Sequence, residues 1–304
     1  MKRARRVAGL LGAGVAAAML APGCIIKEVQ VGDERPECEI DLDCEPRGTT
    51  AMACFDGVCM PKPVDPLWVC LDEPPLMPTN QVVDLRLEVV DAIARTPAVG
   101  ALVRACNRLD PTCTSPFAPD TPVGPSGQVI LGVPENFNGY FEVRSPVDEP
   151  DKFVPEILYL PAREIVRREG PVRRALLFRE ADARALAELV GGTFALGQTP
   201  NALALAVALN CQGNASPGIS FELTTPDVAS SQTVSFYTDR NNLPRLAATE
   251  TSESGTFALT NLVDSAAAGT MALQATINPL QRTMGDGPVS LVRDNWMTLV
   301  YVAP

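Results

Sequence analysis

From Val83 the chain alternates: Val83, Leu85, Leu87 and Val89 are apolar, and Asp84, Arg86 and Glu88 between them are charged. A period of two puts each set on its own face of a strand, so this segment predicts a half-buried strand. Further strands are predicted at Ala101–Cys106, Gln128–Val133 and Tyr140–Arg144, punctuated by Pro111, Pro119, Pro122, Gly124-Pro125, Gly127 and Gly139. The last third repeats the scheme. Its predicted strands are Leu203–Asn210, Ile219–Leu223, Thr233–Tyr237, Thr256–Leu259, Thr270–Ile277, Val289–Arg293 and Met297–Val302. Between the two regions, Glu180–Val190 predicts an amphipathic helix, with Ala183, Leu186 and Val190 at helical spacing and Gly191-Gly192 as its stop.

The predicted fold class is therefore mainly β. It comprises two antiparallel β-sandwich domains (70–150 and 200–304), a linker (151–195) carrying one short helix, and an N-terminal disulfide module (38–60). With 46% apolar residues in 304, there is enough to build cores, and 28 Pro and 22 Gly suit short strands and many turns. The chain has no His, which excludes Ser-His-Asp and Cys-His nucleophiles, His-ligated zinc and haem His. A net charge of −11 argues against a nucleic-acid partner, whose affinity comes from neutralised phosphates.

Residues 1–23 predict an export signal. Lys2, Arg3, Arg5 and Arg6 precede an uncharged apolar stretch from Val7 to Leu20, too short to span a bilayer. Leu20-Ala21-Pro22-Gly23-Cys24 resembles a bacterial lipobox, although Ala21 stands where Leu is usual. The resemblance implies lipidation of Cys24, an anchor in the cell envelope and an outer-membrane location. Cysteine arithmetic agrees: nine is odd, and lipidating Cys24 leaves eight. Residues 24–37 read as a tether. The mature chain would carry 21 Lys and Arg against 36 Asp and Glu.

Cys38, Cys44, Cys54 and Cys59 fall within 22 residues, a segment with little apolar surface, so two disulfides are expected there. The spacings lack paired C-x-x-C knuckles, which disfavours zinc, and no EF-hand ladder follows Asp41 and Asp43. Of the remaining cysteines, the preferred pairs are Cys106–Cys113, a staple between strands, and Cys70–Cys211. The early cluster, closing on Cys54-Phe55-Asp56-Gly57-Val58-Cys59, resembles small disulfide modules that follow the anchor in bacterial surface lipoproteins, which implies a spacer or interaction module.

The two strand regions share an order. Leu87–Val90 leads through Thr96-Pro97-Ala98-Val99-Gly100 into Ala101-Leu102-Val103, and Ser126-Gly127 opens a later strand. Leu205–Leu209 leads through Ala215-Ser216-Pro217-Gly218 into Ile219-Ser220-Phe221, and Ser254-Gly255 opens a later strand. This order resembles the carboxypeptidase-regulatory-like family, and Phe137-Asn138-Gly139-Tyr140-Phe141 resembles its aromatic strand. The resemblance implies transthyretin-like sandwiches that act as accessory or binding modules. The Lys–Asn isopeptide bonds of Gram-positive pilin sandwiches are excluded from both regions, because the four lysines (Lys2, Lys27, Lys62, Lys152) lie outside 82–145 and 203–304.

No nucleophile elbow, P-loop or dinucleotide fingerprint is present, and no cofactor or metal is expected. Arg163, Arg167, Arg168, Arg173 and Arg174 form a basic patch, more simply explained by internal pairing than by an anionic partner. Trp68, Trp296, Tyr140, Tyr237 and Tyr301 offer a sugar-binding face, with core packing as the default. The expected function is a non-enzymatic binding or structural module with a protein or glycan partner at the cell surface. Its contacts are expected in the loops after Cys106 and around Ser230–Asn242. The alternative is a carboxylate-dependent envelope hydrolase, which requires a pocket with two close carboxyl groups and a raised pKa.

Overall fold

The computed structural model describes residues 38, 43–44, 52–55, 58–61, 65–72, 81–150, 152–162, 165, 172–197, 202–224, 228–229, 232–262, 269–284 and 290–304. The chain forms two compact units, 1–63 and 64–304. The predicted signal, Cys24 and the tether lie outside the described residues.

In the first unit, β1 (Met52–Phe55) and β2 (Val58–Pro61) form an antiparallel hairpin with Cys54 opposite Cys59. Disulfides Cys38–Cys54 and Cys44–Cys59 tie it. Among its described residues Cys38, Cys44 and Met52 are buried together, with both disulfides at the centre of the cluster.

The second unit runs β3 (Val82–Asp91), β4 (Leu102–Asn107), β5 (Ala118–Pro122), β6 (Gln128–Pro134), β7 (Gly139–Arg144), β8 (Glu156–Tyr159), β9 (Arg173–Leu177) and α1 (Glu180–Leu189). It continues with β10 (Ala202–Ala208), β11 (Ile219–Leu223), β12 (Val234–Thr238), β13 (Pro244–Arg245), β14 (Thr256–Leu262), β15 (Gly269–Met271), β16 (Leu273–Ile277), β17 (Arg282–Thr283), β18 (Ser290–Val292) and β19 (Met297–Val302). Nine strands form one sheet in the order β13-β12-β14-β10-β19-β8-β7-β4-β5. Smaller sheets are β6-β3-β9, β11-β16-β17 and β15-β18.

The protein is mainly β, with two sandwiches that share this long sheet. The C-terminal strand β19 joins them by pairing in parallel with both β10 and β8. Alternation sorts the side chains between two cores. Val103, Phe141, Leu158, Leu203, Leu205 and Leu299 face the first core with β3 and β6. Tyr140, Ile157, Ala204, Ala206, Val300 and Val302 face the second with β11 and β16. The covering sheets thus lie on opposite faces of the long one. In β10 the sequence Ala-Leu-Ala-Leu-Ala-Val-Ala puts leucines toward the first core and alanines toward the second, where the small side chains admit close packing.

Three points correct the sequence reading. The pairings β3–β9, β10–β19 and β8–β19 are parallel, so the sheets are not purely antiparallel. The segment read as a linker supplies β8 in the middle of the long sheet and β9 at an edge. Four residues buried on both faces show no alternation, and Arg173-Arg174 disguised the start of β9 as a surface patch. The strand expected over 270–277 breaks at Ala272 into β15 and β16, which join different sheets.

The two halves repeat at the level of single hydrogen bonds. Val89 N–H donates to Gly127 O (2.8 Å), and Ala208 N–H to Gly255 O (2.8 Å). Ala98 N–H donates to Val89 O, and Ser216 N–H to Ala208 O, both at 3.0 Å. Gly100 N–H reaches Val123 O, and Gly218 N–H reaches Thr251 O, both at 2.9 Å. All four glycines have positive φ, between 63° and 80°, which explains Gly at these turns.

Candidate functional site

The cover β6-β3-β9 shields only part of the first face of the long sheet. Beyond it, α1 lies over β10, β14 and β12 and leaves an apolar groove of about 270 Å3. Leu205, Val207, Phe236 and Leu299 form its floor, and Leu186 and Leu189 of α1 form one wall. Ile93 and Leu243 close the other sides; Ile93 is 64% exposed, Leu189 69% and Leu243 58%. Three exposed apolar side chains from three separate elements therefore ring one opening.

Local chemistry fixes each wall. Asp91 Oδ1 accepts from Ile93 N–H (3.1 Å) and Ala94 N–H (2.8 Å), and its Oδ2 accepts from Arg179 Nε (3.0 Å). Burial pushes the Asp91 carboxyl up, but the Ala94 N–H, Arg179 and the Ile93 N–H together hold it below the usual range. The bonded turn projects Ile93 outward and holds Arg95 at φ 56°. The opposite turn works the same way. Asp239 Oδ1 accepts from Asn241 N–H (2.8 Å) and Leu243 N–H (2.9 Å), and Asn242 sits at φ 62°. The helix forms over Glu180–Leu189 as the spacing predicts. Ala183, Ala187 and Val190 are buried, and Gly191 at φ 76° ends it.

Polar groups on the groove are few: Arg95, Asp182, Asn242, Thr238 and Thr256, whose Oγ1 donates to Ser254 O (3.0 Å). Thr238 Oγ1 is spent on Ser254 Oγ (2.7 Å). Among the described residues neither Arg95 nor Asp182 takes part in an ion pair. With one carboxylate and no nucleophile on its lining, the groove is built to hold an apolar group.

Among the described residues the two buried glutamates, Glu142 and Glu156, do not pair with each other. Glu142 is fully buried between two arginines: Arg104 Nε donates at 2.7 Å and Arg293 Nη1 at 2.5 Å. Arg293 also donates to Pro111 O and to Tyr140 Oη (3.2 Å), and stacks on Trp296. This network bonds the turn before β19 to β7 and to the Cys106–Cys113 loop. Glu156 is fully buried on β8, and neither carboxyl oxygen has a hydrogen-bond partner of normal geometry. Burial raises its pKa from 4.5 to about 8, against a small opposing pull from the Leu176 N–H. Register places Glu142 opposite Ile157 and Glu156 opposite Val143, so alternation sends the two carboxyls to opposite faces. They are not the adjacent pair a hydrolase requires.

Cys70–Cys211 and Cys106–Cys113 are bonded, the pairs preferred from the sequence. Cys106, Cys113 and Glu142 lie close together, but both sulfurs are consumed by the disulfide. Of the basic patch, Arg163, Arg167 and Arg168 lie outside the described residues. Arg173 is buried and donates to Gly213 O (2.8 Å), and Arg174 pairs with Glu88 (2.5 Å). Trp68, Tyr140, Tyr237 and Tyr301 are buried, so no sugar-stacking face is assembled from them. The contact region expected around Ser230–Asn242 contains β12, as its strand Thr233–Tyr237 was predicted, and it reaches the groove through Phe236 and Thr238 of that strand and Asn242 of the turn. Sequence reasoning missed the groove, Glu142, Glu156 and Arg293. The one available signal was three apolar residues, Ile93, Leu189 and Leu243, at turn or helix-end positions.

No family model and no curated protein matches the chain. Among solved structures, the D295N mutant of the shaft pilin SpaA from Lactobacillus rhamnosus GG aligns with 74% of this chain and 98% of its own at 13% identity, with a TM-score of 0.24. A Streptococcal ancillary pilin aligns with 73% of this chain and 68% of its own at 11% identity, with a TM-score of 0.20. At these scores the likeness carries no argument. What the chain does is therefore read from its own residues.

Proposed function

We propose that the chain is a non-enzymatic binding module of the cell envelope, exported and held at the outer membrane by lipid on Cys24. The aliphatic groove carries this reading, because it offers a shaped apolar surface with no convergent reactive groups. Four disulfides fit an oxidising compartment, and the disulfide hairpin would act as a spacer after the anchor. The repeated turn hydrogen bonds favour two carboxypeptidase-regulatory-like modules, whose usual role is accessory.

Intact mass and thiol count on protein from native membranes test the anchor. The expected result is residues 24–304 plus a lipid adduct, with no free thiols. A lipid-free mass, or Cys24 in a disulfide, would sink the anchored reading.

A further inference from the structure

We infer that the groove between α1 and the long sheet takes one aliphatic chain ending in a carboxylate, a ligand of the fatty-acid class; this rests on the reading of the protein as a binding module. The apolar lining is Leu, Val, Ile, Ala, Phe and one Pro, with no Trp or Tyr. Sugars and proline-rich segments are held on Trp and Tyr faces, so this lining selects for an alkyl chain instead. The volume of about 270 Å3 lies just under the lower bound of about 300 Å3 for small-molecule pockets, which limits the occupant to a small ligand.

Charge at the opening supplies the other half. Arg95 is exposed, lies on the lining and takes part in no ion pair among the described residues. Its backbone is held in a left-handed conformation by the bonded Asp91 turn, an arrangement that costs energy and roots the side chain on the lining. A guanidinium matches a carboxylate in charge and geometry. Asp182 lies on the same lining in the first turn of α1, where the helix dipole favours it. Its charge opposes an anionic headgroup, so the two residues act with opposite sign on the same ligand.

The test is calorimetric titration of the full exported chain, carrying Cys24→Ser so that it holds no acyl chain of its own. Decanoate is the probe, 1-decanol supplies the chain without charge, and butyrate supplies the headgroup without chain. Saturable one-to-one binding of decanoate is expected, with weaker 1-decanol and no butyrate. Leu243→Asp, on the exposed rim, should weaken decanoate about ten-fold. Arg95→Gln should weaken it by about two- to five-fold, and Asp182→Asn should tighten it by a similar factor. Thermal unfolding of each variant separates these effects from loss of fold.

Equal affinity for decanoate and 1-decanol, with Arg95→Gln and Asp182→Asn both silent, would overturn the inference. So would decanoate binding unchanged by Leu243→Asp in a folded variant. A concentration-dependent dimer abolished by Leu243→Asp, with no decanoate uptake, would give the groove to a second copy and overturn it as well. An unlipidated Cys24 would sink the anchored reading while leaving decanoate binding intact, so the two failures are distinguishable.

Discussion

The two halves of the large unit start from the same plan and end in different environments. In the first, β3 lies in the small covering sheet and its outer face meets solvent, as Asp84 and Arg86 record. In the second, the equivalent strand β10 lies in the middle of the long sheet and is almost wholly buried. The turns, the positive-φ glycines and the hydrogen bonds around them are shared. One topology can thus serve as lid or as floor, and the residues between the turns decide which. The join falls at β8–β19, and the groove opens where the first half's cover ends and α1 takes over.

Cross-links test how tightly each half depends on its neighbour. Cys70–Cys211 spans 141 residues and binds the entry of the first half to a turn of the second. Cys106–Cys113 spans seven and acts inside one half. By loop-closure entropy, replacing both cysteines of the long link with Ala should cost about 5 kcal/mol, and of the short link about 2 kcal/mol. Denaturant unfolding of the two double variants checks the order. Equal losses would mean that the long link constrains the unfolded chain no more than the short one does.

Glu142→Ala breaks the join from another side. It leaves Arg104 and Arg293 without their shared carboxylate in a site where Arg293 is only 12% exposed. A loss of about 3–5 kcal/mol is expected. Because Arg293 precedes β19, amide exchange in β19 and β8 should rise more than in β3 and β6. Uniform acceleration across both halves would show that the network does not act at the join.

The sequence made the halves legible and hid the join. Alternation at Val83–Val89 and Met271–Ile277, and the Pro-Gly and Ser-Gly turns, are local signals that survive without tertiary context. Ile219–Leu223 and Met297–Val302 were bounded as the structure has them. Glu156-Ile157-Leu158-Tyr159 could not be read that way. A four-residue strand buried on both faces has no polar side to mark it, and its first residue is a Glu that solution chemistry places at the surface. The groove was hidden for a related reason: its lining comes from seven strands and helices and the turns beside them, and none of them is unusual alone.

Glu156 sharpens the point, since it sits fully buried on the joining strand and its oxygens have no hydrogen-bond partner of normal geometry. Its folded-state pKa of about 8 exceeds the ordinary 4.5. Between those values the folded protein holds a proton that the unfolded chain has released, so stability falls as pH rises from 4.5 to 8. Below that window the group contributes nothing, and above it the full penalty stands. Glu156→Gln should abolish this slope and gain about 3 kcal/mol over the parent at pH 9, the shift being worth about 5 kcal/mol and burial of the amide costing about 2 kcal/mol. Parallel stability curves for parent and variant between pH 5 and 9 would refute it.

The smallest effect compares the halves most directly. Gly127 and Gly255 occupy the same place in the repeat, both with positive φ, so a Cβ strains both by about 1–2 kcal/mol. Their surroundings differ. A Cβ on Gly127 meets the Pro97 ring at 3.1 Å, a side chain on a solvent-facing turn. On Gly255 it meets backbone, Ala208 O at 2.8 Å and Ser216 N at 2.9 Å, inside the hydrogen-bonded contact that anchors β10. Backbone of a buried central strand cannot retreat as a turn proline can, so Gly255→Ala should cost about 1 kcal/mol more than Gly127→Ala. The two substitutions, measured by chemical denaturation under one set of conditions, share their conformational strain, and it cancels in the difference. What remains is the stiffness of the floor relative to the lid. A difference of zero would mean that the central position of β10 adds no rigidity, and that the two halves are equivalent in mechanics as well as in plan.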